Sequence, residues 1–112
     1  MNIATVGFSK DFNINTDDYF FNHINYYVDG YKNGRELMIE IQRGIDNADI
    51  ILINLNNAYL SADEIIVLYV AYSNNVPTYG VGDTIKNILV DEMLCRRFIS
   101  IPEALEHIKN SF

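Results

Sequence analysis

Four consecutive aliphatic residues, Ile50-Ile51-Leu52-Ile53, constrain the fold more than any other feature of this sequence. A strand with one face in water alternates apolar and polar residues, whereas this run is apolar without interruption. Such a run is expected of a strand that is covered on both faces in a parallel sheet. We therefore expect helices on both sides of a strand at 50–54.

The residues that follow this strand predict a helix and a second strand. Ser61-Ala62-Asp63-Glu64 has the pattern of a capping box, in which the Ser61 hydroxyl accepts from the Glu64 amide while the Glu64 carboxylate accepts from the Ser61 amide. The helix at 64–73 is apolar on every side, so we expect the sheet and neighbouring elements to enclose it, and one of these neighbours could be another subunit. Asn74-Asn75 ends this helix, and Val76-Pro77 directs the chain into a strand at 77–81.

Further segments complete a small doubly wound sheet. They are a central strand at 2–7, a helix at 33–47, a last strand at 97–99 and a final helix that a second capping box begins at Ser100 and that runs to about 109. The predicted fold is a single α/β domain over residues 1–112. It is a small Rossmann-like or flavodoxin-like parallel sheet of 4–5 strands with helices on both faces.

Two segments allow more than one interpretation. Apolar residues at helical spacing predict a helix over 17–27, although Tyr26-Tyr27-Val28 could instead form a second strand at the sheet edge. The segment 85–94 is apolar-rich with interspersed charges, and helical and irregular interpretations compete there.

Composition excludes several classes of function. The 112 residues carry a formal net charge of −7, and only Arg96 and Arg97 are adjacent cations, so we do not expect nucleic-acid binding. No apolar run approaches the ~18–20 residues of a membrane span, and the N-terminus has no basic, apolar leader, so we expect a cytoplasmic protein without a membrane partner. The single cysteine, Cys95, is predicted to be a small buried apolar residue without chemistry.

The histidines and aromatic residues predict no metal site and no cofactor. His23 has no second histidine or carboxylate at metal-ligand spacing, and His107 is expected on the exposed face of the last helix. The aromatic residues between 19 and 31 could stack on a base or sugar, but such spacing is more typical of a core or an interface.

Polar residues predict a ligand crevice at one edge of the sheet. In doubly wound sheets, ligands bind beyond the carboxyl ends of the strands at the switch point, here between the strands at 2–7 and 50–54. Free amides at the helix start could hold a ribose hydroxyl or phosphate, and asparagine amides could bind a base edge or could instead satisfy the loop backbone. The candidate ligand-binding residues in the loops 7–12 and 54–62 and at the following helix start are Gly7, Phe8, Ser9, Asn54, Asn56, Asn57, Ser61 and Asp63.

The stretch from the loop to Pro77 resembles the nucleoside 2-deoxyribosyltransferase family, whose motif is roughly D-x-G-T-x-x-E-x-G-x-A followed by a GKPV turn. With Ala71 and Pro77 as anchors, the family's aspartate falls on Ser61, its nucleophilic glutamate on Val67 and its glycine on Tyr69. A valine cannot act as a nucleophile. The resemblance thus covers most of the chain outside 13–33 and implies the family's fold, with Val67 departing from its active site.

Two other segments extend the resemblance. Gly7-Phe8 is similar to the family's opening AGPF, and Asn87-Ile88-Leu89 is similar to a segment that the family contributes to a neighbouring subunit's site. The resemblance implies a homo-oligomer, a dimer or tetramer, in which Asn87 binds ligand.

The expected function is a catalytically degenerate deoxyribosyltransferase-like protein that binds a nucleoside, nucleotide or nucleotide-derived signal. A small acidic chain of this kind would suit a phage protein that sequesters such a signal. One alternative is an active transferase or N-glycosidase that uses Asp63 or Glu64, the only close carboxylates in the motif loop. Another alternative is a protein-interaction module without a small-molecule ligand.

Overall fold

A computed structural model describes residues 1–9, 11–14 and 33–112, together with the backbone of 22–25. Five parallel strands form one sheet in the order β2-β1-β3-β4-β5. The elements in chain order are β1 (Asn2–Val6), β2 (Asn22–Asn25), α1 (Gly34–Asp46), β3 (Ile50–Asn54), α2 (Ala62–Ser73), β4 (Thr78–Val81), α3 (Ile88–Met93), β5 (Arg96–Phe98) and α4 (Ile101–Ser111). This order confirms the predicted doubly wound α/β fold, with the switch point between β1 and β3.

The central strand β3 explains why its sequence is apolar without interruption. Ile51 and Ile53 pack against α1, α2 and α3 on one face of the sheet. Ile50 and Leu52 pack on the opposite face, where α4 contributes Ala104 and Ile108. Both faces are therefore buried, as the sequence predicted.

The edge strand β2 corrects the prediction of a helix over 17–27. Residues 22–25 pair in parallel with β1, from Asn2 opposite Asn22 to Thr5 opposite Asn25. Pairing with a neighbouring strand outweighs the helical spacing of the apolar residues, because local patterns are weaker than tertiary contacts. The remainder of 17–27, and the alternative strand at 26–28, lie outside the described residues.

The helices after β3 begin and end close to the predicted residues. Both hydrogen bonds of the capping box link Ser61 and Glu64, and Asn75 follows α2 in the left-handed region with φ of 58°. The segment 85–94 resolves into a short helix, α3, which Asn87 caps. Within this chain, however, α2 is not enclosed: Ile65, Ile66 and Tyr69 are among its exposed side chains.

Two predictions near β5 are wrong. Cys95 is exposed, because it precedes β5 at the sheet edge rather than entering the core. His107 is half-buried, with its ring 5.6 Å from that of Tyr79 and 5.2 Å from that of Phe98. Burial, together with the neighbouring Cys95, raises the pKa of the Tyr79 hydroxyl.

The described residues contain no helix that is long and apolar enough to cross a membrane.

Candidate functional site

The two loops that were predicted to face one crevice at the switch point meet there, and they meet at the carbonyl of Gly7. β1 ends at Val6, directly beside Ile53 of β3, so the segments after these strands meet at one edge of the sheet. The Gly7 carbonyl accepts hydrogen bonds from the side-chain amides of Asn54, at 3.1 Å, and Asn57, at 2.8 Å. These bonds tie the 7–12 loop to the 54–62 loop.

The asparagines of this loop mainly satisfy backbone groups. Besides its bond to Gly7, Asn54 accepts from the Asn56 amide through its side-chain oxygen at 3.0 Å. Asn56 itself lies against Gly82, which adopts a φ of 112°, a conformation that favours glycine. Because Gly82 has no side chain, the side-chain amide of Asn56 can occupy the space beside it. The structure thus supports the structural interpretation of Asn54, Asn56 and Asn57 that the sequence left open.

Glu64 brings a carboxylate to the point where the two loops meet. Its Oε1 accepts from the Ser61 amide at 3.2 Å, and the Glu64 amide donates to Ser61 Oγ at 3.2 Å. Its Oε2 is buried and, among the described residues, has no hydrogen-bond partner. Because most buried polar atoms in proteins are hydrogen-bonded, this oxygen is an exception that calls for an explanation.

Gly7 and Glu64 are in direct contact. A Cβ placed on Gly7 would lie 2.6 Å from Glu64 Oε2, and Gly7 adopts a φ of +81°. Glycine is therefore required twice, for its backbone conformation and for the space that the carboxylate fills. The sequence prediction included both residues but missed their contact, since nothing in the local pattern of either one indicates it.

The remaining predicted residues are placed less centrally. Phe8 stacks on Phe12 with ring centroids 4.3 Å apart and packs toward the α4 face of the core. The carbonyl of Ser9 accepts from the Phe12 amide at 3.0 Å and closes a turn. Asp63 is half-buried in the first turn of α2.

Asn87 lies at a different feature of the chain. Its side-chain oxygen caps α3 by accepting from the amides of Leu89, at 2.8 Å, and Val90, at 3.2 Å. It also lines an apolar groove between α2 and α3 that includes Tyr69. Binding of ligand by Asn87 in a neighbouring subunit's crevice stays a prediction.

The chemistry available in the crevice is that of a hydrogen-bond acceptor. Val67, which the resemblance aligns with a nucleophile, is 1% exposed and belongs to the core with Leu55 and Leu68. Among the described residues, no group of three or more His, Cys, Asp or Glu side chains is arranged to hold a metal ion. Glu64 is thus the charged side chain that the structure places against Gly7, where the two loops meet.

Comparison of the chain with protein-family models, with curated proteins and with solved structures finds no match.

Proposed function

We propose that this protein binds a nucleoside, a nucleotide or a nucleotide-derived signal in the crevice between the 7–12 and 54–62 loops, without transferring a sugar. The observation that carries the proposal is the buried Oε2 of Glu64, which has no hydrogen-bond partner within the described part of the chain. The position of the crevice supports it, since switch points are where doubly wound sheets bind ligands.

The chemistry of Glu64 defines the ligand group that it would bind. Its Oε1 is occupied by the Ser61 amide, so only Oε2 is left to accept from a ligand. A carboxylate accepts hydrogen bonds, and sugar hydroxyls and the amino groups of bases both donate them. Because Oε2 lies against Gly7, we expect ligand binding to draw the carboxylate outward into the crevice.

Binding is favoured over transfer because a nucleophile must approach the anomeric carbon closely and in line. Val67 has neither a nucleophilic group nor access to the crevice. Glu64 is held in place by its capping box, in which one carboxylate oxygen accepts from the Ser61 amide. An active transferase or N-glycosidase using Asp63 or Glu64 is therefore the second candidate function. Whether free base is formed distinguishes it from a protein that only binds its ligand.

Self-association is also part of the proposal. The exposed apolar side chains of α2 lie on a helix whose sequence is apolar on every side, which is typical of a helix that another surface covers. A phage protein that sequesters a nucleotide signal would combine ligand binding with self-association. A protein-interaction module without a small-molecule ligand would need only the apolar surface of α2.

The first experiment identifies the ligand. Small molecules released by heat from the purified protein are analysed by mass spectrometry, and the protein is incubated with a panel of deoxynucleosides and deoxynucleotides. We expect an intact nucleoside-type molecule to be released or bound, with no free base formed. Free base from the panel would instead favour the transferase or N-glycosidase, and the absence of any bound molecule would favour the interaction module.

The second experiment tests the role of Glu64 with a matched control. Glu103 occupies the same position of the Ser-x-x-Glu pattern at the start of α4, but it is exposed and lies outside the crevice. We expect Glu64→Gln to weaken binding of the identified ligand by roughly 10-fold to 100-fold, as for loss of a hydrogen bond to a charged group, and Glu103→Gln to leave it unchanged. Equal affinities of the two variants, measured by calorimetry, would contradict the proposed site.

A further inference from the structure

The outer face of α2 is an apolar surface that nothing in the described chain covers. Ile65, Ile66, Tyr69 and Tyr72 project from it and are all exposed. Met38 of α1 and Leu89 of α3 extend the surface on either side, and the groove between α2 and α3 runs through it. We call this surface the α2 face.

The size of the α2 face points to a protein partner. Tyr59, Tyr69 and Tyr72 are 75%, 62% and 47% exposed. Since an aromatic side chain can bury about 150–250 Å², these three rings alone offer roughly 300–450 Å². With a comparable area from the aliphatic residues, the face exceeds the ~300–600 Å² patches of ordinary monomers and approaches the ~800 Å² that each partner contributes to a stable interface.

The charge of the α2 face favours a second copy of the chain as that partner. The whole chain carries a formal net charge of −7, so most of its surface repels another copy. The charged residues that line the groove are Lys86 and Glu92, and their formal charges, +1 and −1, cancel. Two copies can therefore bring their α2 faces together without opposing like charges.

The surface is also held in a fixed shape. Arg97 of β5 donates to the carbonyls of Ile85, at 2.6 Å, and Gly82, at 3.2 Å, and it pairs with Asp91 of α3 at 2.6 Å. These contacts fasten the segment that carries Lys86 and Leu89 to the sheet. A preformed surface loses less conformational entropy when a partner covers it.

We infer that the α2 faces of two copies pack against each other across a twofold axis, with Tyr69 and Ile66 near the centre of an isologous dimer interface. The inference rests on the self-association part of the proposed function and adds the partner, the surface and the symmetry. In such an interface, the same residues serve both subunits, so a single substitution acts twice.

Sedimentation velocity on the full chain, from about 1 µM to about 100 µM, tests the inference. We expect a dimer that does not grow further with concentration. Ile66→Asp and Tyr69→Asp should each weaken dimerisation by roughly 30-fold or more, as for central interface residues, because each places two carboxylates in the interface. Ile99→Asp is the matched control: Ile99 is 83% exposed but does not line the groove, and dimerisation of this variant should be unchanged.

A charge exchange tests the same surface without removing apolar area. Lys86→Glu changes the formal charge of the groove lining from zero to −2, so dimerisation should weaken and should recover when salt is added. The double variant with Glu92→Lys returns that charge to zero and should restore the dimer. Far-UV circular dichroism of each variant verifies that it is folded, and the more exposed Tyr69→Asp replaces Ile66→Asp if the latter unfolds.

Three results would overturn the inference: a monomer at about 100 µM, a dimer that both aspartate variants leave intact, or species that keep growing with concentration. Mass spectrometry of ligand bound to Tyr69→Asp separates this inference from the proposed binding site. A wild-type chain that is monomeric and still releases a nucleoside-type molecule would contradict only the dimer, whereas a monomeric Tyr69→Asp variant that keeps its ligand is expected. A dimer of the wild-type chain without any ligand would contradict only the binding site.

Discussion

Two helices of this protein begin with the same sequence pattern, and only one of them forms part of a candidate site. At α2, Ser61 and Glu64 form both bonds of a capping box, and the second carboxylate oxygen is buried against Gly7. At α4, Ser100 Oγ accepts from the Glu103 amide at 3.4 Å, and both residues are exposed. The local pattern is shared, and the surroundings differ.

The difference shows where the chemistry of the crevice originates. A Ser-x-x-Glu pattern satisfies the free amides at a helix start wherever it occurs. It becomes part of the candidate site at α2 because the turn after β1 comes within contact distance of the carboxylate, across the switch point of the sheet. Glu64 Oε2 is therefore buried because of the turn that follows β1, and not because of α2 itself.

The largest effect is expected from Gly7→Ala, which tests that neighbour directly. Alanine at a φ of +81° costs about 1–2 kcal/mol, and its Cβ would displace the Glu64 carboxylate and disturb the capping box. We expect the free energy of unfolding in urea to fall by about 2–3 kcal/mol.

Gly34→Ala is the control for this substitution. Gly34 is the first residue of α1, and a Cβ there would meet no atom within 4 Å. The control should leave stability unchanged or raise it by up to about 1 kcal/mol. A loss below about 1 kcal/mol for Gly7→Ala would mean that Gly7 does not constrain Glu64.

A smaller difference is expected between Ser61→Ala and Ser100→Ala. Both substitutions remove a capping hydroxyl, but the bond at Ser61 is partly buried and belongs to a reciprocal pair. We expect Ser61→Ala to lower the free energy of unfolding by about 1–2 kcal/mol and Ser100→Ala by about 0.5–1 kcal/mol. Equal losses in parallel denaturation curves would show that the surroundings of α2 add nothing to its cap.

Sequence reasoning could predict the fold because the fold depends on patterns within single segments. The apolar run at 50–53, the Ser-x-x-Glu start of α2 and the asparagines at its end each have one dominant physical interpretation. The edge strand Asn22–Asn25 escaped prediction because its apolar spacing suits a helix, while its actual conformation depends on pairing with β1. Cys95 escaped because its burial depends on where the chain reaches the sheet edge.

The candidate site was predictable only in outline. The switch point predicted which loops meet, because the topology of the sheet determines which strand ends are neighbours. The contact between Gly7 and Glu64 joins residues that are far apart in sequence, and no single-segment pattern contains it. For the asparagines, the sequence left open whether they bind a ligand or satisfy the loop backbone. The side-chain amides of Asn54 and Asn57 donate to the Gly7 carbonyl.

The smallest expected effect is the change in the free energy of unfolding when the glutamate at each helix start is replaced by glutamine, and its sign should differ between the two helices. In protein stripped of ligand, Glu103→Gln removes a carboxylate from the first turn of α4 and should cost about 0.3–1 kcal/mol through the helix dipole. Glu64→Gln loses the same favourable helix-dipole interaction, but it also replaces a buried carboxylate oxygen, which has no partner among the described residues, with a neutral amide that is cheaper to bury. We therefore expect Glu64→Gln to be neutral or to raise the free energy of unfolding by up to about 1 kcal/mol, measured in the same urea series.

A gain in stability together with a loss of ligand binding is the signature of a residue that is retained for function at the expense of folding. A loss of stability equal to that of Glu103→Gln would instead identify Glu64 as an ordinary helix cap.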